Sequence, residues 1–359
     1  MQNRLLIAIS SDGLHWQRLN LIMSDSADVP DALVGPDRNV YVYFQGLWTH
    51  TRDGIMVGIS ANGIDNWRFY QVVIPGTQTW PGHPCDPDII FRNDTFRLYF
   101  TGDPIGDRNP ETYSAISLDG LNFTLEEGVR FQIPGSLVLD PSLLWTGDTL
   151  QYFAGGAPPG ENWHAHSSDG LLFFPRPNFS IESLMMANGI SLPQGGYRFY
   201  GFNNNPNSSG IRSIFSLDGE NWVLEPGYRL QIDSTNGLES RYVKDPAVIL
   251  KDSIFIMYYV TRKPMGGIEG SGQLPTYSSI KIFPNPANSI VQFWVLSFLV
   301  KKVNIYNSEG RLIRTFSHKR EIIWDGKDEN GQKVRSGLYW LIGQNDKTII
   351  KKKFIFLIN

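Results

Sequence analysis

Five times the chain repeats one short phrase. Ser10-Ser11-Asp12-Gly13-Leu14-His15-Trp16 returns as Ser60-Ala61-Asn62-Gly63-Ile64-Asp65-Asn66-Trp67 and as Ser117-Leu118-Asp119-Gly120-Leu121-Asn122-Phe123. It recurs as Ser167-Ser168-Asp169-Gly170-Leu171-Leu172-Phe173 and as Ser216-Leu217-Asp218-Gly219-Glu220-Asn221-Trp222. Successive Asp or Asn positions lie 50, 57, 50 and 49 residues apart. A period of that size marks an architecture of repeated supersecondary units, because one unit alone cannot bury its own apolar face.

A second phrase runs in phase with the first. Val29-Pro30-Asp31, Asp86-Pro87-Asp88, Asp140-Pro141-Ser142, Asn188-Gly189-Ile190 and Asp245-Pro246-Ala247 each precede a short apolar run. An aromatic strand follows each, such as Val40-Tyr41-Val42-Tyr43-Phe44 or Ile256-Met257-Tyr258-Tyr259. Short β-branched and aromatic runs punctuated by Gly, Pro, Asn and Asp are strand and turn signals. Each unit then reads as four strands, which is one blade of a β-propeller. The chain opens on an Asp-Gly phrase and its last repeat ends on an Asp-Pro phrase. Segment 5–20 therefore supplies the outer strands that segment 245–260 lacks, and joining the two ends closes the circle and hides the strand edges. The fold expected is all-β: a five-bladed β-propeller over 1–262, a linker at 263–279, and a small Ig-like β-sandwich at 280–359.

The 35 glycines and 22 prolines and the 13% aromatic content suit such a protein. No apolar run approaches the roughly 20 residues of a membrane-spanning helix, so no membrane span is expected. The N-terminus is too short before Ser10 to be a signal peptide, and its apolar residues are needed as a strand. Either the protein is intracellular or an exporting segment precedes this start. Cys85 is the only cysteine, which excludes an intrachain disulfide. The net charge of −3 hides an asymmetry: residues 1–280 carry 18 Lys+Arg against 29 Asp+Glu, and residues 281–359 carry 14 against 6. An acidic propeller repels phosphates, so nucleic acid is not an expected partner. A monomer is expected.

Within the C-terminal part stand Ile282-Phe283-Pro284-Asn285-Pro286-Ala287-Asn288, Trp324-Asp325-Gly326-Lys327-Asp328-Glu329-Asn330-Gly331 and Ser336-Gly337-Leu338-Tyr339. These residues resemble the C-terminal sorting domain of proteins exported by the type IX secretion system of Bacteroidetes, which has an Ig-like core. The resemblance implies the secretion machinery as partner and a secreted or cell-surface location, with the signal peptide missing through a truncated start.

Inner strands of a propeller line its central funnel, so residues at their starts converge. Asp31, Asp86, Asp88, Asp140, Asn188 and Asp245 occupy those starts. Carboxylates gathered at one mouth repel one another, which drives some to keep a proton while others stay ionised, as an acid/base pair requires. Glycoside hydrolysis uses such a pair. Asp-Pro can equally serve as a turn device alone. Asp31 and Asp88 stand out because they lie beyond the Pro, where a turn does not require them, and pleat alternation turns Asp86 and Asp88 to one side. Glu182 and Glu239, each in a Glu-Ser six residues before a strand start, are alternative acids. The Asp-Gly phrases read as structural turns; they resemble the sialidase Asp-box only loosely.

Both phrases together resemble the five-bladed propeller glycoside hydrolases of families 43 and 32, the clan of arabinanases, β-xylosidases and invertases. The resemblance implies a base or nucleophile in the first blade, carried here onto Asp31, and a pKa-tuning Asp in the second, Asp86 or Asp88. The clan's acid is a Glu in the third blade, where this chain has Asp140. Outside the phrases, Trp48 with His50, Trp80 with His83, and Trp163 with His164 and His166 are aromatic–His clusters suited to carbohydrate binding. Their spacing matches no zinc pattern, no cofactor is implied, and a central cation such as calcium finds no support in the sequence. Two readings stay open: a secreted hydrolase acting on poly- or oligosaccharides through the funnel carboxylates, or a non-catalytic glycan-binding or surface-interaction propeller that has lost the acid.

Overall fold

The computed structural model describes residues 3–46, 54–203, 210–264, 280–283, 287–295, 302–317, 321–344 and 349–358. The chain divides into two compact units, Met1–Gly267 and Ile268–Asn359.

The first unit begins with β1 (Asn3–Ser10) and β2 (Gln17–Ser24). A first sheet follows from β3 (Ala27–Val34), β4 (Val40–Gly46), β5 (Ile55–Ser60) and β6 (Arg68–Gln71), paired in chain order. The second sheet is β7 (Gly82–Arg92), β8 (Thr95–Asp103), β9 (Glu111–Ser117) and β10 (Thr124–Leu125). The third is β11 (Leu139–Thr146), β12 (Thr149–Gly155), β13 (Trp163–Ser167) and β14 (Phe174–Pro175). The fourth is β15 (Met185–Ser191), β16 (Tyr197–Asn203), β17 (Gly210–Ser216) and β18 (Val223–Leu224), with β19 (Leu230–Gln231) also on β17. Last come β20 (Ser240–Lys251) and β21 (Ile254–Arg262), and β1 pairs along β21 from Asn3↔Arg262 to Ser10↔Phe255. The closing sheet, β2-β1-β21-β20, thus joins both ends of the repeat region.

The repeated phrase is a turn that the neighbouring sheet grips. In the first copy the amide of Gly13 donates to Ser10 Oγ at 2.9 Å, and the amides of Leu14 and His15 both donate to Asp12 Oδ1 at 2.8 Å. The Gly carbonyl then faces a tyrosine from the preceding sheet. Tyr43 donates its hydroxyl to Gly120 O at 2.8 Å, Tyr99 to Gly170 O at 2.9 Å, Tyr200 to Gly13 O at 2.9 Å and Tyr258 to Gly63 O at 2.7 Å. The Trp or Phe ending the phrase packs edge-on against the same ring, as Trp67 does against Tyr258 at 5.7 Å between centroids. Glycine is required on two counts. Gly170 has φ +74°, and a Cβ there would lie 2.5 Å from the Tyr99 hydroxyl.

One seam lacks this lock. Phe153 holds the register position of the four tyrosines, opposite Ser142, and carries no hydroxyl. Between the third and fourth sheets, a ring-on-ring contact replaces it: Phe153 packs on Phe199 at 4.9 Å, and within its own sheet it stacks on His164 at 4.7 Å.

The second unit is a β-sandwich. Its three-stranded sheet orders β22 (Ile280–Phe283), β24 (Val291–Val295) and β27 (Glu321–Trp324). The five-stranded sheet orders β23 (Ala287–Asn288), β29 (Ile349–Leu357), β28 (Gly337–Gln344), β25 (Lys302–Asn307) and β26 (Leu312–Ser317). Trp324 fills the core among Phe293, Tyr339, Phe354 and Phe356 while its indole N–H donates to Lys327 O at 2.7 Å. A Cβ on Gly326 would sit 2.3 Å from Phe356, which explains the Trp-Asp-Gly of the sequence. Among the described residues no helix is long and apolar enough to cross a membrane.

Replacing Tyr43, Tyr99 or Tyr258 with Phe removes one buried hydrogen bond and strands a glycine carbonyl. Each variant is expected to lose about 1 to 2 kcal/mol of stability in urea unfolding, and unchanged stability in all three would remove the hydroxyl from the lock.

Candidate functional site

Four of the five inner strands break their ladder in the same way. The pairing jumps from Asp28↔Gln45 to Asp31↔Tyr43, from Cys85↔Thr101 to Asp88↔Tyr99, from Leu139↔Gly155 to Ser142↔Phe153 and from Lys244↔Val260 to Ala247↔Tyr258. Each jump is a bulge in which two unpaired residues, the second a proline, stand opposite one on the partner strand. The first unpaired residue has positive φ: Val29 at 41°, Asp86 at 52°, Asp140 at 51° and Asp245 at 42°. β15 instead leaves one unpaired residue, Ala187, between Met186↔Gly201 and Asn188↔Tyr200. Register therefore groups Asn188 with Asp31, Asp88, Ser142 and Ala247, and not with Asp86, Asp140 and Asp245.

The bulges sort the funnel carboxylates into two sets. Beyond the bulge, side chains stitch one sheet to the next. Asp31 Oδ2 accepts from Ile89 N at 2.7 Å, Asp88 Oδ2 from Leu143 N at 3.0 Å, and Asn188 Oδ1 from Val248 N at 2.9 Å. Asn188 Nδ2 donates to Asp31 Oδ1 at 2.7 Å, tying the fourth sheet to the first. Burial raises Asp31 to about 6 against the pull of the Ile89, Ala32 and Asn188 hydrogen bonds. Burial first, and the Asp31 charge second, push Asp88 well above the carboxylate range. Asp88 Oδ1 and Ser142 Oγ are buried without a hydrogen-bond partner.

At the bulges stand Asp86, Asp140 and Asp245, from three different sheets, with Asp28 and Lys244 beside them. Asp86 and Asp245 are buried, at 6% and 5% exposure, whereas Asp140 is half-buried. Cys85 Sγ donates to Asp86 Oδ2 at 3.4 Å. Burial and the charges of Asp86 and Asp245 drive Asp140 well above its ordinary value. Burial also raises Asp245, but the Lys244 ammonium in contact with it holds it at about 6. The opposite side of the same space is apolar. Val29, Met185, Met186, Ala187 and Phe202 join Asp140, Asp245 and three of the four bulge prolines, Pro30, Pro87 and Pro141, around a cavity of about 20 Å³, room for one water.

The other sequence candidates lie apart from this set. Glu239 is fully buried in a network of its own. Arg18 Nε donates to its Oε1 at 2.6 Å, the Tyr259 hydroxyl to Oε1 at 2.8 Å and Asp233 N to Oε2 at 2.8 Å. Glu182 is exposed and pairs with Arg212 at 3.5 Å. Trp80 packs on Tyr113 at 4.9 Å within the second sheet's core. Trp163 donates its indole N–H to Leu137 O at 2.9 Å. His164 lies flat on Phe153 with Nε2 3.2 Å from Gln151 Oε1, and burial, helped by Arg176, lowers it to about 4, so it is neutral at pH 7. His83 is exposed at the start of β7, and lines a groove of about 490 Å³ with Gln71, Val73, Ile74, Thr77 and Gln78. Trp48 and His50 lie outside the described residues. No group of three or more His, Cys, Asp or Glu among the described residues is arranged to hold a metal ion.

The fold of the first unit is shared with solved structures. A thermostable family-43 glycoside hydrolase superposes with a TM-score of 0.52 at 15% identity, over 67% of this chain and 96% of that one. An α-L-arabinofuranosidase from Clostridium thermocellum gives a TM-score of 0.52 at 15% identity, over 82% of this chain and 95% of its own. The propeller has the family-43 glycoside hydrolase fold. At that identity the likeness concerns the fold. Residues 281–357 match the family model of the secretion system C-terminal sorting domain, which implies export to the cell surface or beyond. No curated protein sequence matches the chain.

Lys244 escaped the sequence reading because its partner Asp28 lies on another sheet. Val29 stands where three other sheets hold Asp, a correspondence the aligned phrases carry but whose place at the bulge only strand pairing shows.

Glu239→Ala leaves Arg18 beside an empty buried site. A loss of about 3 kcal/mol is expected, at the low end because Arg18 keeps 21% of its side chain exposed. Denaturant unfolding that shows Glu239→Ala as stable as the parent would contradict a scaffold role.

Proposed function

We propose that this protein is a secreted glycoside hydrolase-like enzyme that cleaves poly- or oligosaccharides with the carboxylates at the funnel bulges, Asp86, Asp140 and Asp245. The reading rests on one observation: matching bulges in three sheets carry Asp86, Asp140 and Asp245, and Asp140 keeps open surface while its carboxyl has no hydrogen-bond partner among the described residues. A carboxyl held neutral near pH 7 is a proton donor in waiting, and an ionised neighbour is its counterpart. The family-43 fold and the type IX sorting domain support the substrate class and the destination. Asp31 and Asp88 serve the scaffold in this reading, their oxygens spent on neighbouring strands.

A second reading is a glycan-binding propeller without catalysis. It is favoured by Val29 and by Met185, Met186 and Phe202, which make one side of the funnel floor apolar where a further carboxylate would stand.

The two readings separate in one experiment. The full chain is incubated with arabino-, xylo- and fructo-oligosaccharides, and both sugar release and binding heat are measured. Hydrolysis that drops by about 100-fold or more in Asp140→Asn and in Asp245→Asn, with binding retained, is the expected result. Binding without release from any of these sugars would establish the second reading in place of the first.

A further inference from the structure

We infer that Lys244 is a positioning residue that divides the funnel carboxylates into a proton acceptor, Asp245, and a proton donor, Asp140; the assignment rests on the hydrolase reading above. Lys244 lies on β20 of the closing sheet and reaches across to the first. Its Nζ donates to Asp28 Oδ1 at 2.9 Å and to Asp245 Oδ2. Asp28 is fixed in turn: Asn3 Nδ2 donates to its Oδ2 at 2.7 Å, and the Tyr242 hydroxyl donates to Asn3 Oδ1 at 2.7 Å. A chain of donors and acceptors from three strands, β1, β3 and β20, therefore holds one ammonium against one funnel carboxylate.

Asp140 receives no such partner. Its backbone amide donates to Thr101 Oγ1 at 3.2 Å, and its carboxyl has no hydrogen bond among the described residues. The charges facing Asp140 are Asp86, Asp245, Lys244 and Asp28, and those facing Asp245 are Lys244, Asp28, Asp86 and Asp140. Both acids share nearly the same field, and contact with the ammonium is what distinguishes them. An opposite charge in contact favours the ionised form, and like charges disfavour it. In the step that follows, Asp140 gives its proton to the leaving glycosidic oxygen. A water adds its oxygen to the anomeric carbon and gives a proton to Asp245. One water is consumed, one C–O bond breaks and one forms, and the pair is reset when Asp245 returns its proton to Asp140 through solvent.

Carboxyl carbon NMR of the full chain labelled at aspartate tests the assignment without relying on turnover, with the two signals identified through Asp245→Asn and Asp140→Asn. Asp245 is expected to titrate below Asp140. Lys244→Met should raise the Asp245 midpoint by ~1 unit or more, Lys244→Arg should leave it near the parent value, and Asp28→Asn, which removes a like charge, should lower it. If the protein turns over sugar, the acidic limb of kcat/KM should move upward in Lys244→Met by the same amount. Asp140 titrating below Asp245, or an Asp245 midpoint indifferent to both Lys244→Met and Asp28→Asn in folded protein, would overturn the assignment. Should Lys244→Met not fold, the Asp28→Asn shift alone decides. Absence of turnover with the titration order intact would sink the hydrolase reading and leave the electrostatic role of Lys244 standing.

Discussion

Everything in the propeller depends on a tyrosine hydroxyl meeting a glycine carbonyl in the next sheet. A sheet in a ring must be held at a set distance from both neighbours, and apolar packing alone is non-directional. The Tyr43–Gly120 contact and its three counterparts supply direction: one donor, one acceptor, no water between. The Ser-x-Asp-Gly turn exists to present that carbonyl. Its serine and aspartate satisfy the turn's own amides, which frees the glycine oxygen for the neighbour. Nearer the axis, the Asp31, Asp88 and Asn188 side chains repeat the idea with backbone amides as donors.

The same stitching explains why two aspartates that look alike along the chain have different surroundings. Asp86 and Asp88 flank one proline, and simple pleat alternation would turn them to one side. The positive φ at Asp86 breaks the alternation. Asp88 is drawn into the scaffold with Asp31, and Asp86 joins Asp140 and Asp245. Scaffold and candidate chemistry are thereby separated by two residues on a strand. The bulge is what lets a regular sheet carry an irregular site.

Much of the architecture was legible along the chain. The repeat period, the four-strand unit and the closure of the ring through β1 and β21 follow from phrases that recur in phase. Individual site residues were less so. Glu239 looked like a funnel acid because it stands six residues before a strand start, yet Arg18, distant by 221 positions, claims it. His164 looked like a rim ligand because it neighbours Trp163, yet it lies against Phe153 in the one seam without a tyrosine lock.

By itself the sequence determined the repeat and its closure, since turn chemistry and strand periodicity are local and each copy confirms the others. It also determined the C-terminal sandwich, where Trp324-Asp325-Gly326 encodes a core tryptophan beside a turn that tolerates no side chain. Only the tertiary structure decided which carboxylates share a field and which are scaffold. Ionisation depends on burial and on charges within a few ångströms, and those neighbours come from different sheets. The ammonium of Lys244 reaches Asp28 over 216 positions, a distance that no local pattern records.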